Sequence, residues 1–347
     1  MAVFQKRAEY LPFSRPGIGD EEISEVSDSL RSGWITTGPK TQKFAEAFRT
    51  YVGSKYAQPL NSATAGLHIS YIAAGARPFD EIITSAMTFA SAANTILHVG
   101  AKPVLADINP DTLNVTPETL KAVVSPATKV LVPVHFAGLP CDMDPILELA
   151  KKHNAVVIED AAHAVGAEYK GRKIGVIGDM TVFSFHPNKN MTTGEGGIVT
   201  GNDEKYREPL ELLSFHGMNK NAWKRFSATG TPHYAIDVPG FKYNMLDIQA
   251  AIGLHQLKKL DAFNKRRAEL VKRYYEAFSG IEELGLQKMP SYAHKHVWHL
   301  FAPLVRSEKL NIDRDGFMQA LKELNIGTGV HYRAVHTHPL YEKLGFK

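Results

Sequence analysis

The sequence predicts an α/β protein: a large unit built on a mostly parallel sheet with helices on both faces, then a smaller α+β unit. Three observations carry this. Short continuous apolar runs, "TKVLVPVHFAG", "AVVIED" and "TVFSF", have the length and β-branched content of strands buried on both faces. Helical stretches separate such runs, as the crossovers between parallel strands require. After about residue 245 the alternation gives way to one long amphipathic pattern followed by short mixed elements.

In chain order, "YAQPLNSATAGLHISYIAAGA" runs from a turn into an apolar helix of small residues, and "DEIITSAMTFASAANTILHVGAKPVLADI" reads as strand, helix, strand. "TKVLVPVHFAG" is a buried strand, "MDPILELAKKHNA" an amphipathic helix, "AVVIED" and "TVFSF" further buried strands. "GEGG" before "IVTG" is a tight turn into another strand. "NMLDIQAAIGLHQLKKLDAFNKRRAELVKRYYEAF" places Ile248, Ala251, Ile252, Leu257 and Leu260 opposite a basic face, which predicts one long helix with Asn244 or Asp247 as N-cap. Beyond it "HVWHLFAPLV" is strand-like, "DRDGFMQALKEL" helical, and "GTGVHY" a turn entering a strand. The expected division is 1–250 for the large unit and 251–347 for the small one.

The 347 residues suffice for these two units, and a composition of 44% hydrophobic and 22% charged residues is that of an ordinary globular protein. Forty basic against 36 acidic residues leave a net charge of +4, too small an excess to imply nucleic acid. No stretch approaches the roughly 20 apolar residues of a membrane span. The opening "MAVFQKRAEYLPFSRPGIGDEE" has no apolar core of the kind a secretory signal needs. Cys141 is the only cysteine, so neither an internal disulfide nor a cysteine-based metal site can form. The expected setting is the cytoplasm.

Three common motifs fail. "GWITTGPKT" (33–41) resembles a phosphate loop, but Pro39 removes an N–H donor and displaces Lys40, and no strand precedes it. Neither "GIGDEE" nor "GEGGIV" has the third glycine of a dinucleotide-binding turn, and neither opens a helix after a first strand. The 15 histidines include no H-E-x-x-H; "HVWH" (His296, His299) and "HYRAVHTH" (His331, His336, His338) read as loop and edge residues. No metal is expected.

Asp160 lies at the carboxyl end of "AVVIED", where open α/β sheets place ligands; local sequence leaves an N-cap role and a ligand contact equally open. His163 follows closely enough to face the same place. Lys189 comes after the next buried strand, "TVFSF". An acid and a lysine on the ends of neighbouring strands are what pyridoxal phosphate chemistry requires. The amine forms the Schiff base with the aldehyde, and the carboxylate keeps the pyridine nitrogen protonated. In "NSATAG", Ser62 and Thr64 open a helix whose N-terminus suits the cofactor phosphate.

"IEDAAHAVGAEYKG" followed by "FSFHPNKNMTTGEGG" resembles the DegT/DnrJ/EryC1/StrS sugar aminotransferases. The resemblance runs from "LPFSRPGIGDEE" to the carboxyl end through "GWITTGPK", "NSATAGLHI", "MTFASAANTILHVGAKPVLADI", "PVHFAGLP" and "FKYNMLDIQAAI". It implies the pyridoxal-phosphate-dependent aspartate-aminotransferase (type I) fold. It also implies a homodimer that moves an amino group from glutamate, released as 2-oxoglutarate, to a nucleotide-linked keto-sugar, with no nucleic acid or membrane partner. Carried over, Lys189 is the Schiff-base lysine and proton shuttle, Asp160 pairs with the pyridine nitrogen, and His163 lies beside the ring near its phenolic oxygen. Phe89 matches the aromatic stacked on that ring, and Ala63, Thr64 and Ser184 match phosphate contacts. Asn244 matches a residue reaching the phosphate from the second subunit, and His331 and Tyr332 match positions near the sugar. "GWITTGPK", "FKYNMLDIQAAI", "WHLF" and "GTGVHYRAVHTHPLY" look most like the branch that aminates UDP-4-keto-pentose in making 4-amino-4-deoxy-L-arabinose for lipid A. Family members continue some tens of residues past "HTHPLY", so the small unit is expected to be shortened relative to them. A sugar dehydratase on the same fold would carry histidine at the lysine position or an iron–sulfur site, and Lys189 and the single cysteine argue against both. A non-catalytic binding protein of this fold would not need Lys189, Asp160 and Thr64 together.

Overall fold

Seven strands form the central sheet of the computed structural model, which describes residues 5–218 and 235–346. They are β1 (Tyr56–Leu60), β2 (Glu81–Ser85), β3 (Lys102–Ala106), β4 (Thr128–Val132), β5 (Val156–Asp160), β6 (Met180–Ser184) and β7 (Gly197–Gly201). Their spatial order is β1-β7-β6-β5-β4-β2-β3. β7 is antiparallel to both its neighbours, and every other pairing is parallel. The order reverses at β2 and β4, because β3 lies outside β2 while β4 and β5 continue on its other side. Such a switch opens a crevice at the carboxyl ends of the strands.

Side chains alternate across the sheet and fill two cores. Ile83, Leu131, Val157, Phe183 and Ile198 face one side, packed with Phe44, Phe48, Met143 and Ile146. Ile82, Val130, Ile158, Val182 and Val199 face the other, against Leu67, Ile69, Tyr71 and Ile96. The covering helices are α1 (Asp20–Ser32), α2 (Pro39–Val52), α3 (Ala63–Ala73), α4 (Ala90–His98), α5 (Pro117–Lys121), α6 (Met143–Lys152) and α7 (Arg207–Ser214). α8 (Asp247–Phe278) is a single 32-residue helix whose first half packs on α1 and α2. α9 (Arg314–Glu323), capped by Asp313, and α10 (Pro339–Lys343) follow. Among the described residues no helix is long and apolar enough to cross a membrane.

Several local expectations are corrected. "YAQPL" is not a turn but strand β1; it is an edge strand, the place where a sheet tolerates Pro59. The N-cap of α8 is Leu246, bonded through its N–H to the Gln249 side chain, and neither Asn244 nor Asp247 caps it. Asp247 caps α2 instead. Its carboxylate accepts from the N–H of Gly38 (2.8 Å), Lys40 (3.0 Å) and Thr41 (2.8 Å), so "GWITTGPKT" is a helix start with Pro39 at its first turn. Lys40 bridges Glu25 (2.7 Å) and Asp28 (2.8 Å). "HVWHLFAPLV" is irregular apart from Leu304–Val305, since His296 Nδ1 accepts from the Trp298 N–H and Trp298 has a φ of 49°. "GTGVHY" forms no strand; Ile326 just before it makes a single bridge to Leu11.

Candidate active site

Asp160 ends β5 and is 5% exposed. Its backbone is fixed on both sides: its N–H donates to Pro133 O (2.9 Å) and its carbonyl accepts from the His135 N–H (3.1 Å). One carboxylate oxygen accepts from the Ala162 N–H at 3.1 Å, which leaves the other for a ligand. Burial pushes its pKa up, while the Ala162 N–H, Lys189 and His135 pull it down. Glu159 points to the opposite face of the strand, where its carboxylate holds His135 Nε2 (2.9 Å), the Gly178 N–H (2.7 Å) and the Thr181 hydroxyl (2.8 Å).

Lys189 stands on the loop between β6 and β7. The loop is cinched where it leaves the sheet: the Phe185 N–H donates to Gly196 O (2.9 Å) and the Thr193 N–H to Phe185 O (3.0 Å). The lysine N–H donates to His186 O (2.9 Å). Burial lowers the amine's pKa from 10.5 to about 8, with the nearby Asp160 charge acting in the other direction. At pH 7 the neutral fraction therefore rises from about 0.03% to about 10%. The fold thus makes this amine a usable nucleophile and base.

His163 is 5% exposed beside them. Its Nδ1 accepts from the Ala137 N–H (3.3 Å), so the neutral ring carries its proton on Nε2, which bonds the Tyr332 hydroxyl at 2.9 Å. Burial, then Lys189 and His331, hold its pKa well below the ordinary value. Gly138 makes this approach possible: at φ 95° it lies where a Cβ would come within 2.8 Å of His163 O. Tyr332 also sits 6.1 Å from the Phe89 ring, and His331 stacks on Phe13 at 5.2 Å. Phe89 occupies the N-cap position of α4 and is 61% exposed.

The N-terminus of α3 meets the start of β7 because Gly197 has no side chain; a Cβ there would lie 2.5 Å from the Ser62–Ala63 backbone. Ser62 is the N-cap of α3, its hydroxyl accepting from the Ala65 N–H at 3.1 Å. The first two helical N–H groups, of Ala63 and Thr64, have no intrahelical partner. Ser184, at the end of β6, is 7% exposed. Asn244 lies beside Leu60, and its amide engages Thr37 Oγ1 (2.6 Å) and Lys242 Nζ (2.7 Å) of its own chain.

Sequence reading missed two residues at this site. His299, taken as an edge histidine, is 5% exposed with its ring centroid 4.3 Å from that of His163. Asn190 is buried and holds His299 Nδ1 at 3.1 Å. Adjacency to Lys189 could have flagged Asn190; nothing local marks His299, whose ring meets Asn190 and His163 from over 100 residues away.

The pattern of the DegT/DnrJ/EryC1/StrS aminotransferase family matches residues 16–347. The chain is 51% identical over 342 residues to the uncharacterized protein MJ1066 of Methanocaldococcus jannaschii, covering 98% of this chain and 88% of that one. It is 50% identical over 348 residues to the spore coat polysaccharide biosynthesis protein SpsC of Bacillus subtilis, covering 99% and 88%. Among solved structures it resembles Spr1654 of Streptococcus pneumoniae, assigned as a sugar aminotransferase and solved in its PMP form, with a TM-score of 0.89 and 36% identity over 97% of this chain and 87% of that one. With a partly neutral, half-buried lysine near a buried carboxylate at the carboxyl ends of two parallel strands, and with this extent of match, the chain belongs to the DegT/DnrJ/EryC1/StrS aminotransferase family.

Proposed function

We propose that the protein transfers the amino group of glutamate to the keto carbon of a nucleotide-linked keto-sugar, a UDP-linked 4-keto sugar. The observation that carries this is the Lys189–Asp160–His163 constellation at the carboxyl ends of β5 and β6. Pyridoxal phosphate is the cofactor, and the chain's own groups fit it. Lys189 offers a partly neutral amine, Asp160 a buried carboxylate with an oxygen to spare, and α3 two unspent N–H groups. When bound, the cofactor supplies an aldehyde that captures amines and a ring that accepts the electrons left at Cα.

Asp160 would hold the proton on the ring nitrogen, because a cationic N–H facing a buried carboxylate offsets the cost of burying it. Lys189 Nζ, once released by the amino donor, would take the proton from Cα and return one to the carbon being aminated. Its pKa near 8 suits it to both directions at neutral pH. The Ala63 and Thr64 N–H groups and the Ser184 hydroxyl would take the phosphate. Phe89 would cover the ring, and His163, its proton fixed on Nε2, would stand beside the phenolic oxygen. His331 and Tyr332 would face the sugar. The same proposal places Asn244 of a second copy at the phosphate. Trp34 and Ile35, 46% and 50% exposed near Asn244, offer apolar surface for that homodimer. The division near residue 250 and a cytoplasmic setting belong to it as well.

The test offers purified protein, pyridoxal phosphate and glutamate a panel of UDP-4-keto-pentose and nucleotide-linked 4-keto-6-deoxyhexoses, with mass spectrometry for conversion of ketone to amine. Amination of the UDP-4-keto-pentose above the others is expected. Amination of none of the panel by protein that reacts with glutamate would overturn the nucleotide-sugar assignment.

A further inference from the structure

The residue after Lys189 is held by a buried amide network that none of these roles uses. Asn190 Nδ2 donates to Asn264 Oδ1 (2.7 Å) and to Val297 O (2.9 Å). Both amide protons are thereby spent, which fixes the amide so that Oδ1, an acceptor, faces His299 Nδ1 at 3.1 Å. That contact requires the imidazole proton on Nδ1 and leaves Nε2 of the neutral ring bare. His299 Nε2 is indeed buried with no hydrogen-bond partner among the described residues. The network continues outward: Asn264 Nδ2 donates to Val165 O (3.1 Å), just beyond His163, and Arg267 donates to His299 O (3.2 Å). It therefore ties together the Lys189 loop, the segment after Asp160, helix α8 and the 297–299 segment. Asn190, Asn264 and His299 are 4%, 5% and 5% exposed, so no water competes for these bonds.

We propose that His299 is a positioning residue for Lys189: through Asn190 it fixes the backbone from which the lysine side chain reaches the reacting carbons. This rests on Lys189 being the reacting amine. A lysine that carries a proton both away from and towards carbon must be placed closely at two positions, and small displacements of a reacting group cost rate and not binding. A histidine meets the need because it presents one N–H at fixed height to Asn190 while its ring packs against His163. Burial first, then the neighbouring His163, Lys189 and Arg267, hold the pKa of His299 well below the ordinary value, so the ring stays neutral and the strut keeps one tautomer.

The experiment compares wild type, His299→Phe, His299→Asn and Asn190→Ala, each with bound pyridoxal phosphate, using glutamate and glutamate deuterated at Cα. His299→Phe should lower kcat at least about ten-fold with KM for glutamate within about two-fold, and should enlarge the deuterium effect on kcat. His299→Asn can still offer an N–H to Asn190 and should restore most of the rate. Nitrogen-15 NMR of histidine-labelled, cofactor-free protein gives a readout apart from turnover. One imidazole should carry its proton on Nδ1 with Nε2 bare, vanish in His299→Phe, and change tautomer in Asn190→Ala. Wild-type kcat and isotope effect in His299→Phe would overturn the proposal. So would a rise in KM alone, or a His299 proton found on Nε2. If His299→Phe fails to fold, the Asn190→Ala kinetics and the tautomer decide. A wild-type protein that ignores glutamate would instead sink the proposed reaction, leaving the tautomer signal intact.

Discussion

Replacing Lys189 with methionine removes an ammonium that the fold holds against its preference for water. Burial takes the lysine pKa from 10.5 to about 8, which corresponds to about 3 kcal/mol. The sign follows from proton counts. Between pH 8 and 10.5 the unfolded chain binds a proton that the folded chain does not, so stability rises with pH across that window. Below pH 8 the full cost of the buried charge is present. Lys189→Met should therefore stabilise the cofactor-free protein by up to about 3 kcal/mol at pH 7, by about 1.4 kcal/mol at pH 9.5, and by nothing above about pH 10.5. Urea unfolding of both proteins at each pH measures this, and the difference between them cancels the titrating groups that do not interact with Lys189, leaving those coupled to it, Asp160 and His163 among them. A methionine variant less stable than wild type at pH 7, or equally stabilised at all pH values, would refute the reasoning.

Two further substitutions test neighbouring parts of the account. Asp160→Asn should retain part of the cofactor while losing on the order of 100-fold or more in turnover, the size seen when one preorganised group aimed at developing charge is removed; an unchanged rate would end its role at the ring nitrogen. Asp247→Ala deprives three N–H groups at the start of α2 of their acceptor and should cost about 2 kcal/mol in urea unfolding; a loss below about 0.5 kcal/mol would remove its role as the cap.

Most of the sheet was legible because its inner strands are short, apolar and uninterrupted: "TKVLV", "VVIED" and "TVFSF" can be little else. β1 was not, since Gln58 and Pro59 make "YAQPL" look like a turn, and only its edge position beside β7 makes it a strand. The placement of Asp160, His163 and Lys189 around one crevice followed from strand ends, which is a property of the topology and hence of the pattern. Asp247 and His299 were misjudged for a shared reason. Each takes its role from a partner far away in sequence, Asp247 from the first turn of α2 and His299 from Asn190, and local pattern carries no trace of either contact.

Every role proposed for the site depends on Lys189 being the reacting amine. That assignment is tested most directly by the visible absorption spectrum of the purified protein with pyridoxal phosphate, before and after glutamate, alongside Lys189→Ala. A yellow lysine-bound band that bleaches on adding glutamate is expected in the wild type, and no such band in the variant. A band of equal strength in Lys189→Ala, or none in the wild type, would contradict it.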